Sequence, residues 1–222
     1  AEFHYGDEYY GVANFPKALA HIAIAAMAGK PAHTALDLGC ATGRATFELA
    51  RHFDHVTGVD FSARFINLGV QLASQGSIRY MLADEGELVS YKTRRLADMG
   101  LEPVRNKVDF LQGDACNLKP VLSGYDFILA ANLIDRLYNP AQFLRSIHER
   151  LNTGGILMLT SPYTWLEEHT RREDWIGGFK KDGESYTTLD GLKAVLGQHF
   201  RLVQAPQDVP FVIRETRRKF QH

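Results

Sequence analysis

The chain has 222 residues, 45% of them hydrophobic and 23% charged, and a formal net charge of −1. It is long enough for one α/β domain with a full core, and its charge balance offers no bulk field to recruit nucleic acid or an anionic membrane. Its two cysteines, Cys40 and Cys116, suit a reducing cytoplasm better than a disulfide scaffold, and its most apolar run, ALAHIAIAAMAG, is too short to span a bilayer.

In chain order, an aromatic stretch (FHYGDEYYGVANFP) comes first and reads as a lid over residues 1–16, followed by a helix at 18–28. The run ALDLGCATGRATFELA then reads as a strand at 34–38, a tight glycine turn and a helix at 44–51. A second strand at 55–59 ends in VTGVDFS and feeds a helix at 63–74. Residues 77–106 exceed what a simple crossover needs, and DEGELVSYKTRRLADMG within them reads as helical. Further strands fit 107–111, 126–131 and 156–160, with a helix at 141–151 between the last two. Residues 161–184 form a second long insertion, a helix fits 189–196, and FRLVQA with PFVIRE reads as a closing antiparallel hairpin. Alternating short apolar runs and helical patterns imply right-handed βαβ crossovers and a mainly parallel sheet covered on both faces. With no repeat or low-complexity linker, 1–222 reads as one domain, both insertions lying over the substrate side. The opening Ala-Glu-Phe in place of Met is the pattern expected of a piece of a longer protein.

The first turn spaces its small residues as G-x-A-x-G (Gly39, Ala41, Gly43), unlike the G-x-G-x-x-G that admits a dinucleotide pyrophosphate. A nicotinamide oxidoreductase is therefore disfavoured. Asp37, Asp60 and Asp114 end or follow three consecutive strands, which in a parallel sheet share one edge. A carboxylate such as Asp60 can accept both ribose hydroxyls, and Asp114 can meet an adenine amine. An acid-rich crevice repels pyrophosphate and accepts a cationic sulfonium nucleoside.

From strand one to strand five the sequence resembles the class I methyltransferases that use S-adenosylmethionine. The resemblance implies a Rossmann-like, mainly parallel seven-stranded sheet with helices on both faces and a C-terminal antiparallel hairpin. It assigns Gly39, Cys40, Ala41 and Gly43 to the amino-acid end of the cofactor, and Asp60 to ribose with Phe61 and Ser62 beside it. Asp114, Ala115 and Cys116 fall to adenine, Asp37 to the same crevice, and Asn132 to the transferring methyl. Arg44 stays ambiguous between the cofactor carboxylate and solvent.

The position after strand four reads NLID, not the N-P-P-Y of amino-methylating nucleic-acid enzymes. Cys116 sits in no Pro-Cys pair, and the nine histidines show no metal-ligand spacing. Outside the cofactor motifs, EFHYG…YYGVANFP, DFSARFI, LIDRLYNPAQFL, SPYTWLEEHTRREDWIGG and PFVIRETRRKFQ closely resemble one family, the C-terminal methyltransferase domain of ovothiol synthase. In that family the domain follows an iron-dependent sulfoxide synthase module and methylates the imidazole π-nitrogen of 5-thiohistidine, giving ovothiol A.

A zwitterionic guest needs partners for ammonium, carboxylate and ring. The resemblance offers Tyr9, Tyr10 and Asn14 from the lid, Asp135 and Arg136 after strand four, and Tyr163, Trp165, Glu167 and Glu168 after strand five. Arg214 is a possible carboxylate clamp. Asn132, Asp135 and Tyr163 are the candidates closest to the chemistry, either of the last two able to hold the non-reacting ring nitrogen. Trp165 reads more often as core than as pocket, Glu168 as solvated surface, and Asp135 with Arg136 as a mutual pair. The other readings are a non-catalytic nucleoside-binding regulator, or a methyltransferase acting on another small amine or thiol.

Overall fold

The protein is described from a computed structural model, which covers residues 3, 8–214 and 220–221. Five parallel strands form the central sheet: β1 (Thr34–Leu38), β2 (His55–Asp60), β3 (Val108–Gln112), β4 (Tyr125–Ala131) and β5 (Leu151–Thr160). Their spatial order is β3-β2-β1-β4-β5. The chain thus runs outward one way from β1 and then reverses, so the turns after β1 and β4 lie side by side at the switch point.

Alternate residues of each strand feed separate cores. Ala35, Val56, Val108 and Phe127 face α1 (Phe15–Ala26), α2 (Arg44–Leu49) and α3 (Ala63–Gln75). Leu36, Leu38, Ile128 and Ala130 face α4 (Pro140–Ser146) and α5 (Thr188–Leu196). The helix starts are written in the local sequence: Asn14 accepts from Lys17 N ahead of Pro16, Ser62 caps α3, and Thr187 with Asp190 forms a capping box on α5. Asp126 ties the near end of the sheet together, accepting from His33 N, Thr34 N and Asn152 Nδ2. No helix among the described residues is long and apolar enough to cross a membrane.

Three expectations are corrected. Residues 77–95 are not helical but an antiparallel ribbon, Ser77–Glu85 against Leu88–Arg95. Tyr, Val and Thr at alternating positions favour a pleated surface, and Gly86 at φ +55° supplies the turn. The central sheet has five strands among the described residues, not seven. Among the described residues FRLVQA and PFVIRE do not pair with each other. Pro206 and Pro210 remove ladder donors from this stretch, and Leu202 and Val203 stay about two-thirds exposed. Ile213–Arg214 pairs instead with Phe220–Gln221.

Candidate active site

The turn after β1 is stitched to the end of β2. Gly39 N and Cys40 N both donate to Val59 O, at 2.8 and 3.1 Å. Gly39 and Gly43 take φ values of +72° and +93°, and a Cβ on Gly43 would sit 2.4 Å from the Phe110 ring. Ala41 is left-handed too, at φ +47°, a conformation unfavourable for an L-residue by about 1 kcal/mol. Its amide donates to Asp60 Oδ2 at 2.9 Å, which offsets that cost.

Asp60 is therefore the organising acid of the crevice. Its Oδ1 accepts from Ser62 N at 2.8 Å, so both oxygens are held by backbone while each keeps a lone pair for a diol. Phe61, between Asp60 and the cap of α3, is 77% exposed. Asp114 is held by one amide and one side chain: Oδ1 accepts from Cys116 N at 2.8 Å, and Oδ2 from the Tyr138 hydroxyl at 2.9 Å. The carboxylate bonded to that hydroxyl, with some desolvation, pushes Tyr138 up to about 12. Ala115 packs against the core under this turn. Cys116 is buried, its thiol meeting Asn139 O, and burial raises its pKa. Arg44, the ambiguous residue, is wholly buried in an ion pair with Glu48 at 2.8 Å.

Across the switch point lies a cavity of about 300 Å³. Asp37, Gly39, Cys40 and Ala41 form one side of its lining, Ala131 and Asn132 another. Tyr9, Val12, Ala13, Asn14, Phe15, Pro16 and Leu19 come from the N-terminal segment, and Phe211, Val212 and Ile213 from the C-terminal one. Phe15 and Phe211 meet at 5.4 Å between ring centroids. Asp37 is almost fully buried and accepts from Thr46 Oγ1 at 2.7 Å.

Asn132 is the strained residue of the lining, at φ +49°. Thr160 at the end of β5 holds it there: Asn132 N donates to Thr160 O, and Thr160 Oγ1 donates to Asn132 Oδ1 at 2.9 Å. The amide Nδ2 is thereby left as the donor available to a guest. The surrounding hydrogen bonds thus fix the strained backbone at the edge of the cavity.

The remaining sequence candidates separate. Tyr9 and Asn14 line the cavity, whereas Tyr10 packs edge-on against Tyr9 and is largely exposed. Asp135 is fully buried: Ser161 Oγ and Thr164 Oγ1 donate to its two oxygens, at 3.2 and 2.8 Å. It organises the loop after β5 from within, and Arg136 grips the same loop through Thr164 O and Oγ1. Tyr163 is left-handed at φ +55°, half-exposed, and does not line the cavity; burial and the nearby Asp208 raise its pKa. Trp165 is core, not pocket: it is buried, stacked near Trp175, and donates to Thr188 Oγ1. Glu167 and Glu168 are exposed, Glu168 pairing with His169. The Arg214 side chain lies outside the described residues. Thr160, Tyr138 and Phe211 were not legible as site residues, because only tertiary contacts distinguish them from ordinary strand and loop residues.

Switch-point crevice, small-residue turn and backbone-held acids together define a Rossmann-like nucleoside-binding domain. The chain belongs to the methyltransferase domain family, which matches residues 13–200, and its cofactor is S-adenosylmethionine. The residues fit that cofactor, since the turn carries no bulky side chain and the strand-end acids suit a diol, an amine and a sulfonium.

Among solved structures, the [4+2]-cyclase SpnF is 20% identical over 82% of this chain and 56% of its own, with a TM-score of 0.54. The CcbJ methyltransferase of Streptomyces caelestis is 22% identical over 65% of this chain and 51% of its own, at TM-score 0.47. An S-adenosylmethionine-dependent methyltransferase of Clostridium acetobutylicum is 17% identical over 65% and 49%, at 0.46. The chain thus spans about half the length of the solved proteins it matches. No curated protein matches it in sequence. The likeness to a cyclase shows that this fold alone does not fix the reaction.

Proposed function

We propose that the protein transfers a methyl group to the imidazole π-nitrogen of 5-thiohistidine, forming ovothiol A. The observation that carries this reading is the cavity at the switch point. At about 300 Å³ it lies at the small end of ligand sites, and it places aromatic walls beside the Asn132 amide. A small guest beside the cofactor turn suits that volume. The sequence resemblance to the methyltransferase domain of ovothiol synthase names the amino acid. In the same reading, the full-length cytoplasmic protein carries an iron-dependent sulfoxide synthase module before this domain.

Gly39, Cys40 and Ala41 would hold the amino-acid end of S-adenosylmethionine, Asp60 its ribose and Asp114 its adenine. Bound there, the cofactor supplies an electrophilic methyl group on a sulfonium sulfur. The protein's own contribution is to orient the acceptor and exclude water, worth roughly 7–11 kcal/mol when reacting atoms are aligned. Phe15 and Phe211 close the cavity from opposite ends of the chain, and Asn132 and Tyr9 offer polar atoms to the guest. An imidazole with a pKa near 6.5 is mostly neutral at pH 7, so orientation matters more than a strong base.

Incubation with S-adenosylmethionine and 5-thiohistidine, histidine or small thiols, read by mass spectrometry and NMR, tests the reading. The expected product carries its methyl on the π-nitrogen, with histidine a poor substrate. Turnover at subsaturating acceptor should fall as pH drops through about 6–7, where the attacking nitrogen becomes protonated. Methylation on sulfur or on the τ-nitrogen would overturn the proposed orientation. Binding of the cofactor with no methylation of any small acceptor would favour the regulatory module.

A further inference from the structure

None of the residues of the ribbon of Ser77–Glu85 and Leu88–Arg95 lines the cavity. Among the described residues neither of its strands pairs with any other. Its root is anchored, with Ile78 buried and Tyr80 packed against the core. Its outer part is not: Met81, Val89, Tyr91 and Leu88 are 59, 43, 60 and 67% exposed. A two-stranded ribbon alone is marginally stable, and its free edges are templates for pairing.

Charge is segregated along this ribbon. Glu85 and Glu87 flank the turn at Gly86, while Arg79, Lys92 and Arg95 occupy the stem. Nine residues of strand extend over about 30 Å. The ribbon is therefore an acidic tip and a basic stem joined by an exposed apolar middle, where Met81 faces Tyr91 across the ladder. The Arg79 guanidinium lies 4.8 Å above the Tyr91 ring, at the border between stem and middle.

We infer that this ribbon is the docking surface for a second copy of the chain, ribbon against ribbon in antiparallel sense about a two-fold axis. That arrangement sets the acidic tip of each copy against the basic stem of the other and buries both apolar middles. An acidic or a basic peptide would satisfy only one end. A self-complementary surface of this kind is what a two-fold interface requires. The cavity stays open, because the ribbon lies outside its lining.

Sedimentation equilibrium of the 222-residue chain tests the inference. A dimer is expected at low salt, weaker by about tenfold or more at high salt, because exposed charge pairs are screened. Reversing the tip (Glu85→Lys with Glu87→Lys) should give a monomer. Reversing the stem (Arg79→Glu, Lys92→Glu and Arg95→Glu) should do the same. Mixed together, the two variants should form a heterodimer, since each now complements the other. Circular dichroism melting confirms that each is folded, and Met81→Lys offers an independent break at the apolar centre. A wild-type chain that stays monomeric up to its solubility limit overturns the proposal. So does a dimer indifferent to both reversals, or a mixture of folded variants that fails to associate.

Discussion

The two halves of the crevice are held together in different ways. On the side of β2 and β3, each acid is fixed by amides close in the chain or in the adjoining turn: Asp60 by Ser62 and Ala41, Asp114 by Cys116. On the side of β4, the cavity joins the Gly39–Ala41 turn to residues 14, 132 and 211, which only the folded chain brings together. The first half is a set of local motifs, the second a tertiary construction. Damage to the first should therefore abolish cofactor binding, and damage to the second should change the acceptor while leaving the cofactor in place.

The largest effect is expected from Asp60→Ala. It removes hydrogen bonds to a charged acceptor, each worth about 1.5–3 kcal/mol, and releases the Ala41 and Ser62 amides. S-adenosylmethionine affinity, measured by calorimetry, should fall by about 10- to 100-fold or more. Unchanged affinity in a folded variant would break the comparison at its root.

Gly43→Ala should come next, as a loss of stability. A methyl group there meets the Phe110 ring at 2.4 Å, and the left-handed φ adds backbone strain. Together these cost about 2–4 kcal/mol, visible as a lower melting temperature. A neutral outcome would mean that the turn is less constrained than its geometry.

Phe211→Ala sharpens the contrast from the other side. The ring meets Phe15 at the cavity, whose lining includes Asp37 but neither Asp60 nor Asp114. Acceptor KM should rise by about tenfold, with cofactor affinity held within about twofold. If cofactor affinity fell equally, the two halves would be one site.

The smallest effect concerns Tyr138. Its hydroxyl donates to Asp114, and its pKa is raised from 10 to about 12. The raised value favours the neutral phenol, so the bond stabilises the fold below pH 10 and is lost as pH rises through about 12. Ultraviolet titration, with Tyr138→Phe as the difference, should locate this late ionisation. Asp114→Asn should return it toward 10, and an unshifted titration would remove the bond.

The sequence alone determined the five parallel strands, the switch-point turn with its small residues, and the strand-end acids, because each is encoded by apolar period, glycine placement and neighbouring donors. Caps at Asn14, Ser62 and Thr187 fix three helix starts locally, although apolar period alone places the first start at 18 and not 15. Only the tertiary structure decided that 77–95 is a ribbon, since a charged stretch with mixed periodicity is compatible with either state until its root packs at Ile78. It alone put Trp165 in the core and buried Asp135, expected to hold the substrate ring, beneath the loop after β5. It alone chose Phe15, Thr160 and Phe211 from among many apolar or hydroxyl residues. Contacts between distant segments leave no period, cap or turn residue to read, so the cofactor half was legible in the chain and the acceptor half was not.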